Sequence, residues 1–301
     1  MIGPRAIAIV GRSHTGSTLL SLLLAGRPGV VAVGEAGSVA AVARLRPDRA
    51  RAERCSCGSD AGGCELWGPV VEALCESPDR DVYELLVPRV AAQYGPGALI
   101  IDETKRVDAL RALSRAVEDV TVVRLSRDVR ADVSGRLRRA ERLRPPRRWQ
   151  PGDDVGPHLR YRRASSAPLL FLDWYGDHRR LDDVLARLRL PVVATRYELL
   201  TACPTVEVAG LARELGLTDP ERVDLDGTGS HIVFGNNMRR HDELSTEVRT
   251  DLRWMTERRW VLPSLLMGRV MRYNTRLVHE RSGAAYAGTG TQRGREEAGT
   301  R

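Results

Sequence analysis

Eight residues near the N-terminus have the types and spacing of a phosphate cradle: Gly11-Arg12-Ser13-His14-Thr15-Gly16-Ser17-Thr18. The apolar run Ala6–Val10 precedes them, and Ser17–Ala25, heavy in leucine, follows with the load of a buried helix. A glycine-bearing turn between strand and helix curves its backbone N–H groups around an anion, and the helix N-terminus adds partial positive charge. The spacing is that of GxxxxGK[ST], with Ser17 where the lysine belongs. In nucleoside triphosphatases that lysine reaches the β- and γ-phosphates, and the next Ser or Thr holds magnesium. Its loss turns the reading away from ATP or GTP hydrolysis and toward a phosphate site whose cation comes from elsewhere. Arg12 and His14 are the cations within the loop. A strand–helix turn that holds no ligand is the bland alternative.

Two further residues draw attention by their chemistry. Of 47 basic residues only Lys105 is a lysine, and a compact ammonium in an arginine-dominated chain can be there for its point charge. It ends Ile100-Ile101-Asp102-Glu103-Thr104-Lys105, directly after an apolar run. Glu35, in Val33-Gly34-Glu35-Ala36, likewise follows a short apolar run and is expected to point into the same cleft. A glutamate that serves only the dipole of a following helix is its competing reading.

The elements that must position these residues alternate along the chain. Ala6–Val10, Val30–Val33, Leu99–Ile101, Val120–Leu125 and Pro191–Thr195 read as strands, with helical stretches between them, including one to about Leu143. This alternation predicts an α/β fold of three layers, a central parallel β-sheet flanked by helices. Ligands of such sheets bind beyond the carboxyl ends of the strands, and each residue named so far follows one of these runs. Residues 144–158, rich in Pro, Arg and Gly, read as a loop, and 282–301 as a disordered tail, leaving one domain over 1–281. The loop and the region from Trp174 to His178 are expected to line an acceptor pocket.

Composition narrows the class. The chain of 301 residues is 42% apolar, enough for a sizeable core, and no apolar run is long enough to span a bilayer. The apolar runs near the N-terminus do not have the order of a signal peptide, which points to a cytoplasmic protein. The net charge of +8 suits an anionic ligand. With aromatic residues at 5% and no recognition-module signature, a nucleic-acid-binding module is disfavoured. Cys55, Cys57 and Cys64, with Trp67 close behind, have CxC spacing and no histidine nearby in the sequence, so a local disulfide or packed thiol turn is expected rather than a structural zinc site.

The loop Gly11–Thr18 resembles the 5′-phosphosulfate loop of sulfotransferases that use 3′-phosphoadenosine 5′-phosphosulfate (PAPS), with Thr15-Gly16-Ser17-Thr18 matching the family's small-residue stretch. In that family an Arg at a strand end and a Ser on the following helix hold the 3′-phosphate. Arg127 and Ser134 fit this pattern within Val122–Ser134, and Arg124 is the fallback partner. The cysteine run to Trp67 is similar to an insert of bacterial members, and Arg196-Tyr197-Glu198-Leu199-Leu200 to a segment taken as structural. His231–Arg239 resembles a late loop that closes over the 3′-phosphate, with Gly235 and Arg239 as candidates and Asn237 in place of the usual proline.

What the resemblance implies is sulfuryl transfer from PAPS to a hydroxyl or amine, in line and with no metal required. Glu35 resembles the base of the tyrosylprotein branch, and His14 is the runner-up base. Asp102-Glu103-Thr104-Lys105 is similar to an Asp-Ser-Ser-Lys segment, which gives Lys105 the bridging oxygen and Asp102 an orienting or acceptor-binding role. The acceptor is a small molecule, carbohydrate or lipid. The competing enzyme reading is a P-loop kinase or other nucleotide-dependent phosphotransferase.

Overall fold

Alternation within the strands decides the architecture. In β1 (Arg5–Val10), Ala6, Ala8 and Val10 enter one apolar cluster, while Ile7 and Ile9 enter another on the opposite face. The same division splits Val31 and Val33 from Val30 and Ala32 in β2 (Val30–Gly34), and Ile100 from Leu99 and Ile101 in β3 (Leu99–Asp102). A sheet buried on both faces needs helices on both, which is the three-layer arrangement.

The computed structural model describes residues 4–104, 106–142, 161–218, 230–236 and 248–280. Lys105, Arg239, the 144–158 loop and the 282–301 tail therefore lie outside the described residues. The five strands, completed by β4 (Asp119–Ser126) and β5 (Val192–Arg196), form one sheet of order β2-β3-β1-β4-β5. Every pairing is parallel. Each strand read from the sequence is present. β3 runs on to Asp102, which pairs with Ala8 on one side and Gly34 on the other. From β1 the chain passes to the far edge at β2, and after β3 it crosses back over β1 to β4. The loop after β1 thus lies where the winding reverses, where such sheets bind their ligands.

Helix α1 (Ser17–Leu24) packs in the cluster with Ile7 and Ile9, and every one of its residues is buried. α2 (Ala36–Leu45), α3 (Pro47–Ala52), α4 (Gly68–Glu76), α5 (Val82–Tyr94) and α6 (Val107–Ala116) contribute to the cluster on the other face. After β4 come α7 (Val129–Arg142) and α8 (Ala167–Leu188). α9 (Tyr197–Ala202) and α10 (Pro204–Glu214) follow β5, and α11 (Val261–Leu266) and α12 (Gly268–Asn274) come later, with a π-helical turn at Thr275–His279 directly after α12. No helix among the described residues is long and apolar enough to cross a membrane.

Arg124 lies on β4, 1% exposed, on the same face as Val120 and Val122. It pairs with Asp182 of α8 and donates to the Tyr273 hydroxyl of α12 at 3.1 Å, while that hydroxyl donates to Asp182 at 2.5 Å. A strand residue inside the ladder faces the core, and this guanidinium ties sheet to helices. Removing one partner of a buried ion pair strands the other. Arg124→Met is expected to lower the unfolding free energy by about 3 kcal/mol, read by urea titration, and Asp182→Leu added to it should recover part of that loss.

Candidate active site

The loop between β1 and α1, the candidate phosphate loop, has left-handed backbone at two positions. Gly16, the residue before α1, has φ +95°, and a Cβ there would lie 3.0 Å from the Tyr197 ring. His14 also has positive φ, at 71°, which is uncommon for a residue with a side chain and is frequently a mark of functional loops. Thr15 Oγ1 donates to Arg12 O at 2.7 Å and closes the turn. The hydroxyls of Ser17 and Thr18 both donate to Glu103 Oε2 at 2.8 Å. Glu103 is fully buried, and its N–H donates to Gly34 O at 2.7 Å. With those hydroxyls engaged, an anion in the loop is left to the backbone N–H groups and the helix terminus.

The two cations within the loop have partners of their own. Arg12 is buried and turned onto α7 and α8, pairing with Asp177 and lying 3.5 Å from Asp132. Burial lowers its pKa, with the two aspartates opposing. The His14 ring is exposed, with Nε2 3.2 Å from Arg139 Nη1 of α7. Arg139 is a cation beside the loop that sequence reasoning missed, because α7 is so rich in arginine that no single one stands out.

Arg127, just past β4, reaches the loop from the other side. Its Nη1 donates to His14 O at 3.1 Å and its Nη2 to Asp251 at 3.3 Å, and its guanidinium lies 4.2 Å above the Tyr197 ring. Tyr197 therefore touches both Gly16 and Arg127, which gives the Arg196–Leu200 segment a bracing role. Its neighbour Glu198 accepts from the Asp128 N–H at 2.9 Å, and burial raises its carboxyl. Although burial also pushes Asp128 up, hydrogen bonds from Arg130, Asn274 and His279 hold it at about 2. Ser134, on α7, is fully buried and its Oγ makes no hydrogen bond among the described residues.

The far end of the site is built on β2. Gly34 has φ +72°, and a Cβ there would meet Ile232 and Phe234 O at 2.7 Å, so only glycine lets residues 230–236 cross the strand end. Glu35 follows, its N–H donating to Phe234 O at 3.3 Å and its Oε2 accepting from Ser38 Oγ at 2.8 Å. The carboxylate thus leans on the first turn of α2, as the dipole reading expects, while standing half-buried at the strand end. Gly235, with φ +150°, packs against Thr18 Oγ1, and the Asn236 N–H donates to that oxygen at 3.2 Å. The described part of the late segment thus meets the phosphate loop itself.

Ser13, exposed, and Arg12 line a cavity of about 450 Å³ with Thr104, Arg106, Arg136 and His178. His178 is another residue the sequence did not single out, although the region was named. It is 1% exposed, neither ring nitrogen makes a hydrogen bond among the described residues, and burial, aided by Arg124 and Arg12, drives its pKa well below the usual imidazole value.

Asp102 is held from three sides: Thr104 Oγ1 at 2.6 Å, Tyr83 OH at 3.1 Å and Ala36 N–H at 3.2 Å. Burial lifts its carboxyl to about 7 against those three bonds. An unfolded chain releases this proton near 3.8, so the folded state binds more protons between those values. The stability this group contributes is complete below about pH 4 and lost as pH rises through 7. Asp102→Asn is expected to flatten that fall, by on the order of a few kcal/mol at most across the window, in urea midpoints measured from pH 4 to 8.

No family model matches the sequence, and no curated protein matches it. Among solved structures, the chain is similar to the sulfotransferase domain from the curacin biosynthetic pathway, at 14% identity and TM-score 0.46, over 88% of this chain and 98% of that one. It is similar to the sulfotransferase domain of the Synechococcus PCC 7002 olefin synthase at 16% and 0.47, over 90% and 95%. A sulfotransferase from Alicyclobacillus acidocaldarius stands at 16% and 0.46, over 93% and 97%. These are likenesses, and the functional reading rests on the residues of this chain.

Proposed function

We propose that the protein is a sulfotransferase that moves a sulfuryl group from PAPS to a hydroxyl or amine of an acceptor. The observation that carries the reading is the junction of Arg127 with the loop at His14 O, together with a buried Ser134 hydroxyl on the following helix that makes no hydrogen bond among the described residues. A guanidinium fork and a hydroxyl suit a phosphate dianion, and the loop suits a second phosphate at the helix N-terminus. One molecule with phosphates at two positions, such as a 3′,5′-bisphosphorylated adenosine, would use both.

In this reading the acceptor oxygen attacks sulfur while the bond from sulfur to the bridging phosphate oxygen breaks, and the electron pair leaves with 3′-phosphoadenosine 5′-phosphate. Glu35 takes the acceptor proton, and Lys105 neutralises the charge that develops on the bridging oxygen. The loop N–H groups hold the leaving phosphate, and the chemistry needs alignment, a base and charge stabilisation rather than a metal. The acceptor, a small molecule or part of a carbohydrate or lipid, enters the 450 Å³ cavity beside the loop, where Arg106, Arg136 and Arg180 favour an acidic group and Val107, Leu110 and Leu181 an apolar one. Free thiols at all five cysteines fit a reducing, cytoplasmic setting.

A second reading, a nucleotide-dependent phosphotransferase, has one observation behind it: the Glu103 carboxylate on Thr18 is placed where a magnesium site would want it. Calorimetry separates the two. Binding of 3′-phosphoadenosine 5′-phosphate without magnesium is expected, with Ser134→Ala weakening it about 10-fold, the worth of one charge-assisted hydrogen bond. Binding of ATP with magnesium but not of this product would sink the reading. Given an accepted substrate, Glu35→Gln should bind the product as the parent does while losing about 100-fold or more in turnover. Lys105→Ala at full turnover would remove the lysine from the mechanism.

A further inference from the structure

The cysteine run does not form the disulfide considered from its spacing. Cys55, Cys57 and Cys64 are all unpaired thiols. The structure supplies what the local sequence lacks, a histidine, from 167 residues beyond Cys64. The Sγ atoms of the three cysteines and a ring nitrogen of His231 all lie within 4.8 Å of one another. Cys57 Sγ is 3.7 Å from Cys64 Sγ, and Cys64 Sγ is 3.2 Å from His231 Nδ1.

We propose that Cys55, Cys57, Cys64 and His231 bind one zinc ion as a closed structural site. Three thiolates and one imidazole are a complete tetrahedral set for this ion, with no position left for substrate. Two thiolates on one tetrahedral zinc, with bonds of about 2.3 Å, stand about 3.8 Å apart, and the Cys57–Cys64 separation matches. The surroundings are those of a ligand site. His231 Nε2 lies 2.6 Å from the Tyr94 hydroxyl, so the proton on that nitrogen can donate to the tyrosine and leave Nδ1 free to coordinate. The Trp67 N–H points at Cys64 Sγ at 3.5 Å. The Cys55 N–H donates to Ser59 O and the Gly58 N–H to Cys55 O, with Gly58 at φ +99°, a tight turn that brings two cysteines to one point. Cys55 and Cys64 are buried while Cys57 is exposed, which leaves an entry path.

The ion would fasten the 230–236 segment to the cysteine turn. That segment is already sewn in on both sides of His231. Its N–H donates to Ala32 O at 2.7 Å, its carbonyl accepts from Trp67 Nε1 at 2.6 Å, and the Ile232 N–H donates to Ser56 Oγ at 2.8 Å. The same segment then supplies Phe234 O to Glu35 and Gly235 to Thr18. Zinc here holds the cover of the candidate active site in place and takes no part in transfer. The proposal does not rest on sulfuryl transfer, since metal content is read whatever the activity.

The test is elemental analysis of the purified full-length chain after dialysis against metal-free buffer, with cobalt substitution alongside. About one zinc per chain is expected, with loss in His231→Ala and Cys57→Ser. The cobalt form should show tetrahedral ligand-field bands and thiolate charge transfer. Stripping zinc from the parent chain with a chelator should speed amide exchange at His231 and Ile232. A parent chain that carries no zinc and gives no thiolate–cobalt band overturns the site, and this result needs no variant to fold. A Cys57–Cys64 disulfide found by mass spectrometry overturns it too. Unchanged exchange at His231 and Ile232 after zinc removal overturns the fastening role.

Discussion

One buried carboxylate holds the functional end of the sheet together. Glu103 sits at the end of β3, donates its N–H to Gly34 at the end of β2, and receives both hydroxyls of the first turn of α1. Three strand ends meet through it. A carboxylate with no exposure is costly unless its oxygens are satisfied, so those hydroxyls are held in place by the same need that holds Glu103. The phosphate loop is thereby fixed in register against β2, where Glu35 emerges, and beneath Gly235, whose backbone crosses at Thr18. Replacing Gly235 with any larger residue would press on this joint.

A second joint braces the loop from the β5 side. The Tyr197 ring fills the space beside Gly16 and carries the Arg127 guanidinium on its face. Arg127 in turn bonds the loop carbonyl of His14. The loop is therefore clasped between β3 and β5, although it belongs to β1. In a parallel sheet this is possible because all the carboxyl ends lie along one edge.

Much of this was legible in the sequence, for local reasons. The strands declared themselves by apolar runs, and the loop by glycine spacing between a strand and a helix. Arg127 and Ser134 were singled out by the resemblance alone, as an Arg at a strand end and a Ser on the helix after it. Arg124 was the fallback to Arg127, three positions before it, yet the two-residue period of β4 puts it with Val120 and Val122, facing the core. Glu103 was not singled out, since nothing local says that a glutamate beside Asp102 will accept two hydroxyls from residues more than eighty positions earlier. His231 and the cysteines show the same limit more sharply. Spacing arguments see ligands that are close along the chain, and here the fourth group arrives only because residues 230–236 lie along β2. Arg12 likewise looked like a free cation until α7 and α8 brought it Asp132 and Asp177.

Ser134 carries a consequence for the resting protein. Its hydroxyl is buried and makes no hydrogen bond among the described residues, so an alanine would lose no such contact with them. A buried polar group left so costs about 1–3 kcal/mol, a noticeable share of the margin by which a domain of this size stays folded. The fold is thus held below the stability its own backbone would allow. On the function proposed above, variation that hardened this helix by removing the hydroxyl would gain robustness and give up a phosphate contact, so the two properties pull against each other at a single oxygen atom.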